Sequence, residues 1–123
     1  MAQVKVLISD DDRDIIETTG ALLEYEGFKV HSSETVEEGI ALIETASPDV
    51  ILLDIMFPEK KTRGFDAAAE IKEKYPTLPI IALTAINREY AFDFEKEDIK
   101  ADEFINKPDE TENLVKLIHK YVT

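Results

Sequence analysis

Short apolar runs alternate along the chain with longer stretches in which apolar residues recur every three or four positions. Val4 to Ile8, Phe28 to His31, Val50 to Leu53, Ile80 to Leu83 and Glu103 to Ile105 predict five strands. Most are apolar at every position, as strands buried on both faces of a parallel sheet are. Between them, Ile15, Thr19, Leu22 and Leu23 keep helical spacing and stop at Gly27, and Val36, Ile40 and Ile43 repeat the pattern before Pro48. Ala67, Ala68, Ile71 and Tyr75 lead to Pro76, and Leu114, Leu117, Ile118 and Tyr121 predict a final helix. The piece from Asn87 to Lys100 conflicts with itself: Tyr90, Phe92 and Phe94 alternate at strand spacing, in a slot where the topology wants a crossover helix.

Strands separated by helices predict an α/β chain of the (βα)₅ kind. Right-handed crossovers make it a doubly wound five-stranded parallel sheet with helices on both faces. At 123 residues the expectation is one domain over 1–123, with no repeat or linker. The chain has no cysteine, so neither a disulfide framework nor a thiolate metal site is available. The short apolar run at the N-terminus meets acids at once, with no signal-peptide pattern and no membrane-length stretch, so a cytoplasmic, membrane-free protein is expected. Fourteen basic against twenty-seven acidic residues give a net charge of -13, which argues against direct nucleic-acid binding. Most of that acid reads as a solvated surface.

In doubly wound sheets the functional site lies at the carboxyl ends of the strands. There the first strand runs into Ser9, Asp10, Asp11 and Asp12, the third ends at Asp54, the fourth at Thr84, and the fifth is followed by Lys107 and Pro108. If the first and third strands are neighbours, three carboxylates crowd together, and like charges that close call for a cation or protons. Oxygen ligands without His or Cys favour a hard ion, Mg²⁺ or Mn²⁺. Phosphoryl transfer needs a nucleophile and positive charge around the equatorial oxygens. Asp54 suits the first role, and Lys107 with the Thr84 hydroxyl and the ion suits the second. Singly, each has a plainer reading as a turn former, a packing residue or a surface lysine; the joint order is what makes chance improbable. Asp12, followed by Ile15, reads as the cap of the first helix rather than as a ligand.

The stretches VLISDDD, ILLDIMFP, IIALTA and EFINKP together resemble the receiver domains of two-component response regulators, the CheY-like family, over essentially the whole chain. The resemblance implies a flavodoxin-like strand order 2-1-3-4-5. It implies a phosphorylation switch that accepts a phosphoryl group on Asp54 from a phosphohistidine of a sensor histidine kinase or phosphotransfer protein, and that signals to a downstream target or effector domain. It makes Asp10, Asp11, Asp54 and the backbone carbonyl of Met56 the Mg²⁺ ligands. Asp54, Thr84 and Lys107 become the groups of the self-phosphorylation and dephosphorylation chemistry, Thr84 and Phe104 the switch pair, and Lys107-Pro108 a cis bond. The protein would be a signalling domain and not an enzyme acting on other substrates.

Two departures stand out. Gly64 comes later after Asp54 than the family's usual glycine, which implies a longer loop, and Lys100-Ala101-Asp102 replaces the usual glycine-alanine-aspartate. The aromatic cluster Tyr90, Phe92 and Phe94 reads either as core or as a surface for phosphorylation-dependent homodimerisation. The alternative function is a phosphorylation-independent pseudo-receiver that binds protein partners. A flavin or nucleotide module would need a glycine-rich phosphate loop where three aspartates stand, and a haloacid-dehalogenase-like phosphatase would need a DxD motif where Asp54-Ile55-Met56 stands.

Overall fold

Five parallel strands pair in the order β2-β1-β3-β4-β5. They are β1 (Lys5–Ser9), β2 (Lys29–Ser33), β3 (Val50–Asp54), β4 (Ile80–Thr84) and β5 (Glu103–Asn106). Among the described residues four helices pack on them: α1 (Arg13–Tyr25), α2 (Val36–Ala46), α3 (Arg63–Lys74) and α4 (Thr111–Val122). The computed structural model describes residues 3–54, 63–84, 102–106 and 111–122. The Asn87–Lys100 segment and its three aromatic residues, and the loop between β3 and α3, lie outside the described residues.

Strand alternation splits the apolar residues into two cores. Leu7, Ile51, Leu53, Ile80 and Ala82 meet Val36 and Ile43 of α2 and Ala67, Ala68 and Ile71 of α3. Val6, Ile8, Val50, Leu52 and Ile81 meet Leu23 of α1, Phe28, and Leu114 and Ile118 of α4. Helices therefore cover both faces, as the unbroken apolar strands require. Each fully buried Leu or Ile side chain is worth about 1.5–3 kcal/mol, so the central strands anchor whatever their ends carry.

Every strand runs further at its carboxyl end than its apolar pattern predicts. β1 includes Ser9, β2 reaches Ser33, β3 includes Asp54, β4 Thr84 and β5 Asn106. The ladder is made of backbone groups, so it continues past the point where the side chains turn polar. Ser32 and Ser33 pair with Ile8 and Ser9, and Ser9 pairs with Leu53 on its other side. The helix boundaries follow local chemistry. Asp12 caps α1 by accepting the N–H groups of Asp14 (2.9 Å) and Ile15 (3.3 Å). Thr35 caps α2 by accepting Glu38 N–H at 3.1 Å. Gly27 (φ 96°) turns the chain after α1, and Ser47 does so after α2 with φ 50°.

The amino-terminal edge of the sheet is tied down by acids. Asp49 accepts Lys5 N–H at 2.8 Å, and Asp102 accepts Ile80 N–H at 2.8 Å while pairing with Lys72. A shallow cleft of about 490 Å³ at this edge is lined by Ile43 and residues 47–49 on one side and by residues 74–79 on the other. It lies far along the strands from the acidic edge.

Candidate functional site at the carboxyl edge of the sheet

Three consecutive aspartates follow β1, and the fold gives each a different environment. The apolar run Val6–Ile8 is fully buried and carries the chain to Ser9 and Asp10, which are 1 % and 0 % exposed. Asp10 N–H donates to the Ser33 carbonyl at 3.0 Å, which adds a last rung between β1 and β2. Its carboxylate Oδ1 accepts Asp12 N–H at 2.9 Å, an aspartate turn that bends the chain out of the sheet. Asp11, at the apex of that turn, is exposed. Asp12 is spent on the helix cap, as its spacing from Ile15 predicts.

The register sets the remaining candidates beside these acids. Ser9 pairs with Leu53, so the next residues, Asp10 and Asp54, come at one level on neighbouring strands, which run about 4.8 Å apart. Asp54 pairs with Leu83, which puts Thr84 one step further out on β4. Thr84 in turn pairs with Asn106, the last residue of β5 and the one immediately before Lys107. The backbone thus brings Asp10, Asp54 and Thr84 to one edge, on the three central strands. Met56 and Lys107 lie outside the described residues. Phe104 sits in β5 opposite Ala82, two residues short of the end of the strand.

Two carboxylates at adjacent strand ends, one of them fully buried, demand positive charge nearby, because a buried anion is costly without it. Among the described residues the donor chemistry at the edge is oxygen only. His31 pairs with Leu7, two residues back from Ser33, and His119, exposed on α4, lies against Phe28 with ring centroids 5.3 Å apart and the rings tilted by 42°. Neither is placed to ligate at this edge. Oxygen donors of that kind fit a hard divalent ion. Among the described residues no three His, Cys, Asp or Glu side chains gather into a metal-binding group. Asp10 and Asp11 are the described carboxylates at this edge that could hold such an ion.

A second feature of this edge carries only a weak signal in the sequence. Ser33 and Ser9, both buried, are hydrogen-bonded to one another at 3.0 Å, directly beneath Asp10 and against Gly39 in the first turn of α2. The available signal was a serine ending each of two neighbouring apolar strands.

A family model described as response regulator receiver domain matches residues 6–119. The chain belongs to this family. As a receiver domain it is similar to the response regulator SaeR of Staphylococcus aureus, with 34% identity over 118 residues that cover 96% of this chain and 50% of SaeR. The chain thus spans about half the length of the curated relatives it matches. Among solved structures, a response regulator receiver domain protein (CheY-like) from Methanospirillum hungatei JF-1 superposes with a TM-score of 0.83 at 27% identity, covering 98% of this chain and 94% of that one. Response regulator protein TrrA from Thermotoga maritima, solved in complex with Mg²⁺-BeF, does so with 0.82 at 28% identity, covering 97% and 99%. Membership accounts for the flavodoxin-like strand order and places the receiver in two-component signalling. Among the described residues no helix is long and apolar enough to cross a membrane.

Proposed function

We propose that this receiver is a phosphorylation switch whose phosphoacceptor is Asp54. The observation that carries the reading is the β1–β3 register, in which Asp10 and Asp54 meet at one level on adjacent strand ends. In the transfer, an Asp54 carboxylate oxygen attacks the phosphorus of a phosphohistidine. A P–O bond forms as the P–N bond breaks, and the departing imidazole takes up a proton. Mg²⁺, held by Asp10, Asp11, Asp54 and the Met56 carbonyl, would supply charge neutralisation for the phosphoryl oxygens. Lys107 pairs with the transferred group, and the Thr84 hydroxyl donates to it. Support for the ion comes from the oxygen-only donor set, and from TrrA having been solved with Mg²⁺-BeF.

Thr84 moving toward the phosphoryl group, with Phe104 following, shifts a two-state equilibrium read by partners on the face that includes β5 and α4. The donor is a sensor histidine kinase or phosphotransfer protein in the cytoplasm, and the readout is a downstream protein or effector domain. Residues 1–123 act as one domain, and a surface carrying a net charge of -13 leaves nucleic acid to other partners. The test is labelling by acetyl phosphate with Mg²⁺, read by intact-mass spectrometry. One added phosphoryl group is expected, lost in Asp54→Ala and lost with EDTA. Labelling that survives in Asp54→Ala would refute the phosphoacceptor assignment, and no labelling of the wild-type chain would favour a pseudo-receiver that acts by binding alone.

A further inference from the structure

Ser9 immediately precedes the acidic turn, and Ser33 ends the neighbouring strand. Both side chains are buried, and a buried hydroxyl is costly unless it is hydrogen-bonded. The Ser33 hydroxyl donates to Ser9 Oγ at 3.0 Å, and the Ser9 hydroxyl is directed at the Thr35 carbonyl at 3.5 Å. The Ser33 carbonyl accepts the Asp10 N–H. The Ser9–Asp10 unit is therefore held to Ser33 twice, once through side chains and once through backbone, in a closed ring at the root of the acidic turn.

The first turn of α2 is pressed onto this ring. A Cβ at Gly39 would lie 2.8 Å from Ser33 Oγ and 3.0 Å from Ser9 Oγ, closer than a carbon and an oxygen can approach without displacement. Glycine at 39 thus lets α2 seat directly on the two hydroxyls. Its N-cap residue, Thr35, supplies the carbonyl at the end of the chain of hydroxyls.

We infer that Ser9 and Ser33 are positioning residues that fix the root of the Asp10–Asp11 turn, and that Gly39 clamps α2 over them, so that the pair sets the affinity of this edge for a divalent cation. This rests on the reading of Asp10 and Asp11 as ligands given above. Its physical basis is that supporting contacts behind a ligand hold it in the geometry the ion needs, and that their removal typically weakens metal binding by about 10–100-fold.

The test uses the full chain with two readouts. In metal-free protein, exchange of the Asp10 amide hydrogen, followed by NMR relative to core amides such as Ile51, is expected to speed up on the order of tenfold in Ser33→Ala. Calorimetric titration with MgCl₂ is expected to show a Kd raised on the order of tenfold in Ser33→Ala and Ser9→Ala, with the exposed Ser32→Ala unchanged. Gly39→Ala is expected to weaken binding in the wild-type background and to cost less in Ser33→Ala, where the nearer of the two oxygens is gone. A lowered melting temperature with Asp10 exchange and Mg²⁺ affinity both unmoved would overturn the inference and leave the serines as plain packing. A wild-type chain that binds no Mg²⁺ would instead overturn the ligand reading, and the exchange measurement would still decide whether the serine ring holds Asp10.

Discussion

The carboxylate of Asp102 lies 2.7 Å from the Lys72 ammonium and accepts the Ile80 backbone N–H at 2.8 Å. One side chain thereby joins the end of α3 to the start of β4. Lys72 also donates to the Leu78 carbonyl at 2.8 Å, and Tyr121 of α4 donates to the Asp102 carbonyl at 3.2 Å. Four elements meet at this residue, at the edge of the sheet opposite the acidic turn.

Asp102→Ala is expected to destabilise the receiver by about 2–3 kcal/mol, because it strands a partly buried ammonium and a backbone donor that were both charge-assisted. Asp102→Asn, which keeps an acceptor for Ile80, should cost about half as much. Chemical denaturation with constant slope would measure both. A loss under about 0.5 kcal/mol in the alanine variant would show that solvent replaces the carboxylate.

Asp11 and Asp12, after β1, should separate in thermal melts run with Mg²⁺ and with EDTA. Asp12→Ala loses the two N-cap hydrogen bonds and should cost about 1 kcal/mol in both media, with the Mg²⁺-dependent gain intact. Asp11→Ala, at an exposed position, should melt like the wild type in EDTA and lose most of the gain in Mg²⁺. For the wild type that gain is about 2.7 kcal/mol when free Mg²⁺ is a hundred times Kd. If Asp12→Ala abolished the gain, the cap would be serving the ion.

Glu44 of α2, Lys74 and Tyr75 form an exposed cluster in which the Lys74 ammonium and the Tyr75 hydroxyl (3.0 Å) both donate to Glu44. The Lys74 hydrogen bond, then that of Tyr75, holds the Glu44 carboxyl below its ordinary 4.5, and the Glu44 hydrogen bond and charge hold Lys74 above its ordinary 10.5. A lowered carboxyl pKa gives stability that is complete above the ordinary value and is lost as pH falls through the lowered one. A raised ammonium pKa gives stability that is complete below its ordinary value and is lost as pH rises through the raised one. The melting-temperature difference between wild type and Lys74→Ala should therefore be flat between those limits and shrink outside them. It should be small and salt-sensitive, since the groups are exposed. A difference that changes through neutral pH would point to another titrating group.

Much of this receiver was written locally. Short unbroken apolar runs placed the strands, and a spacing of three to four residues placed the helices that the structure describes, and Asp12 announced its cap by its distance from Ile15, because such signals depend only on neighbours along the chain. The residue types at the strand ends were likewise legible, since polar groups after Ile8, Leu53 and Leu83 interrupt runs that burial would otherwise keep apolar. The strand ends themselves came out one or two residues further on, because backbone pairing is blind to side-chain polarity. What only the tertiary structure decided was adjacency. The β1–β3 register that sets Asp10 beside Asp54 follows from a crossover over β2 and two helices, and no spacing in the sequence encodes it. The same holds for the burial of Asp10 beside the exposed Asp11, and for the fit of Gly39 onto Ser9 and Ser33. Each depends on atoms brought together from distant parts of the chain, where close packing rather than periodicity determines which side chain a position can hold.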